Sequence, residues 1–365
     1  MSMGETSRGS PMDDPCLSAS VLDSFLRLSL TEGFTVDHLR RLRSGAPSPL
    51  PFAGVPPGSE RSLLDKGRMS LDSPVAGGRA EAVREACARA KIAIVAFGER
   101  EYPEPLLEIR GAPLVLYRAG SPWTGGVAVA VVGSRTPTAV GREFARVLAE
   151  ELSAAGCVVV SGMARGVDAA AHRGALRGGG GTVAVLGCGV DVTYPPEHAG
   201  LRAEILERGA IYSEYPPGSP PLPRRFPARN RIVSGLCGGV VVAEAPERSG
   251  ALITARIALE QGREVMAVPG NPWFAHTAGS NRLLREGAAP VCSAVDVLDA
   301  LGASPPAGDA GLKGRIIDFL SRKRHAGEIS AALSSPLSEL LPALMELEVA
   351  NLVEKRPGDY YKRKS

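Results

Sequence analysis

Val127-Ala128-Val129-Ala130-Val131-Val132-Gly133-Ser134-Arg135-Thr136-Pro137 is the stretch that decides the fold of this chain. Its first six residues are small or β-branched without a polar break, the pattern of a strand buried on both faces, as strands of a parallel sheet are. Gly-Ser-Arg-Thr-Pro then turns the chain ahead of a helix expected from about Ala139 to Ala155. The same alternation extends both ways from this strand. Further strands are predicted at Ile92–Phe97, Leu114–Tyr117, Val158–Ser161, Val183–Leu186, Ala210–Ser213, Val240–Ala243 and Glu264–Val268, with helical stretches in most of the gaps. The expected architecture is α/β, a parallel sheet covered by helices on both faces over residues 79–301.

Outside that block the composition changes. Residues 1–16 are polar and read as a flexible leader. Residues 17–45 place apolar side chains at helical spacing (Val21, Leu22, Phe25, Leu26, then Val36, Leu39, Leu42) on either side of Gly33, which predicts a small helical module. Residues 46–78 hold six prolines and Gly77-Gly78 and read as a linker unable to sustain a long helix. A second break at 302–311 precedes residues 312–365, whose helical periods and terminal Tyr360-Tyr361 suit a winged helix–turn–helix.

Bulk properties narrow the function. The 365 residues are 44% hydrophobic and 22% charged, ordinary for a globular chain long enough for more than one domain. No apolar run approaches the ~20 residues of a membrane span, and no signal sequence opens the chain, so a cytoplasmic location is expected. Six scattered cysteines form no CxxC pair and have no histidine cluster near them, which points away from zinc and redox motifs and leaves no metal or cofactor expected. The net charge is only +3, but it is unevenly spread: Arg224, Arg225, Arg229 and Arg231 fall within eight positions free of acid, and Lys355, Arg356, Lys362, Arg363 and Lys364 crowd the last eleven. Local basic patches are what attract polyanions.

Four segments carry chemistry. Gly133-Ser134-Arg135 ends a strand and precedes a helix, where backbone N–H groups favour an anion, a hydroxyl is at hand and arginine can bind phosphate through two bonds; an ordinary strand–helix turn explains it equally well. Ser161-Gly162-Met163-Ala164-Arg165-Gly166-Val167-Asp168 opens the next helix, with Asp168 as its expected cap and His172 as a packed histidine rather than a general base. Phe226-Pro227-Ala228-Arg229-Asn230-Arg231 sets an aromatic among arginines, the combination single-strand binding uses, a ring for bases and guanidinium groups for phosphates. The alternative places Phe226 in the core and the arginines on a helix surface. Val240–Glu244 leads through Arg248 to Ser249-Gly250 and Thr254, again hydroxyls and glycine at a helix start. Glu244 is open to three roles: capping a turn, pairing with an arginine, or acting as an acid. No catalytic pair is evident.

Taken together these segments resemble the DprA (Smf) family of DNA-processing proteins. The residues that carry the likeness are Gly133-Ser134-Arg135, Ser161-Gly162 with Gly166-Val167-Asp168 and Ala171-His172, Leu186-Gly187 with Gly189 and Asp191, Tyr194-Pro195, Ser213-Glu214, Phe226–Arg231, Ser249-Gly250 with Thr254, and Val268-Pro269-Gly270. The resemblance implies an extended Rossmann-like domain that binds single-stranded DNA, forms a homodimer and loads the recombinase RecA during DNA uptake, without turnover. It implies a pocket of Gly133, Ser134, Arg135, Phe226, Arg229, Asn230 and Arg231, with Ser249, Gly250 and Thr254 on phosphates. Relatives often carry a basic residue or asparagine after Tyr-Pro, whereas Pro196-Glu197-His198 stands here. Arg165, Arg224 and Arg225 are therefore expected to make up positive charge.

Three rival readings belong to other classes. Nucleotide phosphoribohydrolases of similar layout use a Pro-Gly-Gly-x-Gly-Thr loop, which this sequence lacks; Pro269-Gly270 runs into Asn271-Pro272. Dinucleotide oxidoreduction fits less well, since the first turn is not GxGxxG. A duplex-DNA regulator would read bases with Leu337–Leu347, a helix bearing Glu339 and Glu346 and no arginine.

Overall fold

The computed structural model describes residues 19–31, 34–44, 66, 69–71, 73–303, 312–320, 323–333 and 335–364. The expected leader, most of the linker and residues 304–311 lie outside the described residues. The described residues divide into two compact units, one running to Ala303 and one made of the C-terminal residues.

In the larger unit, β3 (Ala128–Val132), β4 (Val158–Ser161), β5 (Thr182–Leu186), β6 (Ala210–Ser213), β7 (Gly239–Val242), β8 (Glu264–Ala267) and β9 (Ala289–Pro290) run parallel in the order β6-β5-β4-β3-β7-β8-β9. All five residues of β3 and of β5 are buried, which is why the apolar run is unbroken. Helices α4 (Ala139–Ala154), α5 (Val167–Arg177), α6 (Ala199–Arg208), α7 (Arg225–Gly235), α8 (Gly250–Glu260), α9 (Ala278–Arg285) and α10 (Ala294–Ala300) fill the connections. From β3 the chain moves outward through β4, β5 and β6, then returns to pair β7 on the other flank of β3, with Val132 opposite Val242. The strand order thus reverses beside β3, and the crevice outside the carboxyl ends there is where such sheets bind ligands.

The α/β fold with its large, mostly parallel sheet is as expected, and the structure adds detail to it. The sheet is not wholly parallel: β1 (Ala93–Ala96) and β2 (Val115–Gly120) add an antiparallel edge on β6, because the segment joining them carries no crossover helix. The presumed linker contains the start of a long helix, α3 (Pro74–Ala90). Pro74 sits at its first position, where a missing N–H costs nothing, and Ser73 Oγ accepts the Ala76 N–H. Helices α1 (Ala19–Ser29) and α2 (Val36–Ser44) are not set apart either. Phe25, Leu26, Leu28, Phe34 and Val36 belong to the same buried cluster as Leu116 and Tyr117 of β2.

The smaller unit packs α11 (Leu312–Phe319), α12 (Ala326–Leu333) and α13 (Leu337–Val349) over a sheet of β10 (Arg324–His325), β12 (Tyr360–Arg363) and β11 (Val353–Arg356). Ile316, Ile329, Leu340, Leu344 and Tyr361 form its core. This order of elements is that of a winged helix. The basic residues of its end are not a loose tail but a hairpin, with Lys355 paired to Asp359 at 3.0 Å and Arg356 to Glu354 at 2.8 Å. Helix α13 turns Leu337, Leu341, Met345 and Val349 to solvent, not cations. Among the described residues no helix is long and apolar enough to cross a membrane.

Candidate functional site

A cleft of about 360 Å3 opens outside the carboxyl ends of β3, β4 and β7. Gly133, Ser134 and Arg135 form one wall, Gly162, Ala164 and Asp168 the next, Phe226, Arg229 and Asn230 of α7 a third, and Arg248, Ser249, Gly250 and Thr254 the last. Segments up to 121 residues apart in sequence meet here because β3 pairs with both β4 and β7.

The wall at β3 is held by one residue of β7's exit loop. Glu244 is buried; its backbone oxygen accepts the Ser134 N–H at 2.7 Å, while its carboxylate accepts Thr138 N–H at 2.9 Å and Thr138 Oγ1–H at 2.6 Å. Thr138 Oγ1 in turn accepts the Gly141 N–H, so the carboxylate supplies the negative charge that the N-terminus of α4 attracts. Gly141 leaves the room: a Cβ there would come within 2.2 Å of Glu244 Oε2. Of the three roles open to Glu244 the structure shows capping. Ser134 Oγ accepts the Thr136 N–H at 3.1 Å and shapes the same turn.

The neighbouring wall holds a buried cation. Arg229 is 5% exposed; its Nη1 donates to Gly162 O at 3.0 Å and to Val185 O. Gly162 permits this, since a Cβ would lie 2.4 Å from Nη2. Asp168, 8% exposed, does not cap α5 as expected. Its Oδ2 reaches back to accept the N–H groups of Gly162 (3.2 Å) and Ala164 (3.3 Å), because it stands one residue inside the helix. Burial pushes its carboxyl up, opposed by the Arg229 charge and those two N–H groups. His172 is fully buried, and the Thr182 hydroxyl, which gives its hydrogen to Val159 O, accepts from Nδ1 at 2.8 Å. Burial, then the charge of Arg229, pulls its pKa down to about 3, so the imidazole is neutral and packed, as the sequence suggests. Burial likewise lifts the Cys188 thiol to about 11, out of the nucleophilic range.

Phe226 is half-buried and belongs to neither of its two expected settings alone. Its ring packs against Tyr194, centroids 5.5 Å apart, and carries the Arg135 guanidinium 5.5 Å from its centroid, while still lining the cleft. Arg135 and Arg248 are exposed and have no hydrogen bond or ion pair among the described residues. The N-terminus of α8 is capped by Ser249 Oγ, which accepts the Ala251 N–H at 3.2 Å, with Thr254 buried one turn on.

Nine of the expected site residues thus line the cleft: Gly133, Ser134, Arg135, Phe226, Arg229, Asn230, Ser249, Gly250 and Thr254. Four do not. Arg231 is not in the cleft lining; its two Nη atoms sit on Glu214 at 2.7 Å and its Nε on Gly111 O at 2.8 Å, which holds the guanidinium in an ion pair. Arg165 pairs with Glu197 at the surface. Arg225 lies over the Tyr215 ring at 4.4 Å, and Arg224 is exposed at the entry to α7. Arg248 is the residue the motif reading passed over. Its place next to the capping Ser249 was the available signal.

The family model of DNA recombination-mediator protein A matches residues 93–302. Protein Smf of Escherichia coli is 37% identical over 282 residues, 71% of this chain and 74% of that one. DNA processing protein DprA of Streptococcus pneumoniae is 46% identical over 198 residues, 54% of this chain and 70% of the other. The crystal structure of DNA processing protein A from Streptococcus pneumoniae superposes with a TM-score of 0.59 at 34% identity, covering 77% of this chain and 95% of that one. A structure of DNA processing protein A from Helicobacter pylori, which concerns its single-stranded DNA binding mode, gives 0.52 at 29% identity over 58% of this chain and 95% of that one.

Proposed function

The chain belongs to the DNA recombination-mediator protein A family of DNA-processing proteins, and from that premise we propose that its cleft binds single-stranded DNA without reading sequence. The observation that carries the proposal is the meeting of a half-buried aromatic ring, Phe226, with two exposed arginines that have no carboxylate partner among the described residues, Arg135 and Arg248, beside the capped start of α8. A flat ring offers stacking to any base, and unpaired guanidinium groups offer bidentate contacts to phosphates. Ser249, Gly250 and Thr254 add hydroxyl and backbone donors to the same wall. The Helicobacter pylori relative's single-strand binding supports the same assignment. Further steps are drawn from the family likeness: the protein acts in the cytoplasm as a homodimer, passes DNA to RecA and catalyses no reaction.

The test is a titration of oligo-dT against duplex of the same length. The purified protein is expected to prefer oligo-dT, with affinity falling as salt rises. Phe226→Ala should weaken binding by ~1–3 kcal/mol, the scale of one lost base stack, at an unchanged salt slope. Equal affinity for duplex, or a folded Phe226→Ala protein that binds as the parent does, defeats the assignment.

A further inference from the structure

A second cavity, of about 190 Å3, lies across the N-terminus of α7 from the cleft. We propose that it takes the continuation of the same DNA strand, an inference that rests on the single-strand reading above.

The chain links the two hollows directly. Arg225 and Phe226 are consecutive, yet Arg225 lines the second cavity and Phe226 the cleft. The loop before them does the same, with Pro216 and Ser219 facing the second cavity and Pro223 the cleft. A helix body is roughly 10 Å across. At a rise of roughly 3.4 Å per stacked nucleotide, about three nucleotides bridge the two.

The second cavity also has the chemistry of a strand contact. Arg225 stacks on Tyr215 and donates to Pro220 O at 2.9 Å, which fixes an aromatic and a cation side by side. Arg79 of α3 also lines the cavity, exposed and with no hydrogen bond or ion pair among the described residues. Among the described residues Glu214 is the one carboxylate in the lining, and both its oxygens are engaged by Arg231. The cavity is therefore electropositive, and a phosphate entering it meets Arg79 without displacing an internal partner. Pro113 and Leu30 give it an apolar wall for a base.

The experiment measures binding of oligo-dT of roughly 4 and roughly 20 nucleotides, which span the range of single-strand sites, by the full chain and by Arg79→Ala, Arg79→Glu and Arg135→Ala. The short oligomer fits the cleft alone. Arg79→Ala is expected to leave the short oligomer unaffected, weaken the long one roughly three- to ten-fold, and lower its log–log salt slope by ~0.7, one phosphate's share; Arg79→Glu should do more. Unchanged affinity and slope for the long oligomer in both Arg79 variants, with Arg135→Ala still impaired, overturns this inference and leaves the cleft standing. Failure of the parent protein to bind either oligomer removes both.

Discussion

The rim and the floor of the cleft both carry arginines, and they do opposite work. On the rim, Arg135 and Arg248 reach solvent with no carboxylate partner among the described residues. On and behind the floor, Arg229 donates to two backbone carbonyls and Arg231 forks onto Glu214. All but Arg248 lie in motifs that look alike as strings of letters. What separates them is whether the guanidinium's donors are already taken, since a cation with satisfied donors inside the protein holds the fold and one without partners at the surface is available to a ligand.

The largest effect that probes this contrast is on stability. Arg231→Ala leaves the Glu214 carboxylate, 16% exposed, without its partner. Breaking such a pair costs ~3–5 kcal/mol, whereas replacing both members by apolar residues of similar size costs far less. Denaturant unfolding should therefore show a severe loss for Arg231→Ala and substantial recovery in Arg231→Met with Glu214→Leu. The folded fraction of Arg231→Ala should still bind oligo-dT with the parent's salt slope. A mild stability change together with a reduced slope would move Arg231 to the rim.

A pH effect comes next, from His172 beside the floor. Its folded pKa, near 3, lies below the ordinary 6.5. Above pH ~6.5 the folded and unfolded states hold the same neutral ring. Below it the unfolded chain takes up a proton that the native state refuses, so stability falls as pH drops, by about 2 kcal/mol at pH 5 and further toward pH 3. His172→Gln should flatten that fall relative to the parent between pH 6.5 and 4. Parallel stability curves for the two proteins would mean the buried ring is protonated in the native state.

These differences explain what the sequence reveals and what it hides. Strand positions were legible almost to the residue because parallel strands buried on both faces write continuous apolar runs, as Val127–Val132 and Val158–Ser161 do. The antiparallel edge was not, since strand direction depends on which partner β2 finds, and its first residues, Val115 and Leu116, are as apolar as those of a parallel strand. The start of α3 was hidden by Pro74, which reads as a breaker in isolation and serves as a first-turn residue once Ser73 caps. At the cleft, residue types marked the walls, while the fate of each charge depended on long-range partners: Glu244 on Thr138, 106 positions away, and Arg231 on Gly111, 120 away. Spacing carries no trace of such pairings.

The smallest effects are expected on the rim, and they sharpen the contrast most. Arg135→Ala and Arg248→Ala remove exposed side chains with no hydrogen bond to lose, so each should change unfolding free energy by no more than ~0.5 kcal/mol. For Arg135→Ala that limit rises to ~1 kcal/mol, because the contact with the Phe226 ring, worth ~0.5–1 kcal/mol at an exposed site, is lost as well. Each should nevertheless lower the log–log salt slope of oligo-dT binding by ~0.7, and the double variant by about twice that if the two arginines meet different phosphates. A double variant no worse than either single one would place both guanidinium groups on one phosphate. Either variant that unfolds would belong with Arg231, and the division between rim and floor would then rest on the other arginine alone.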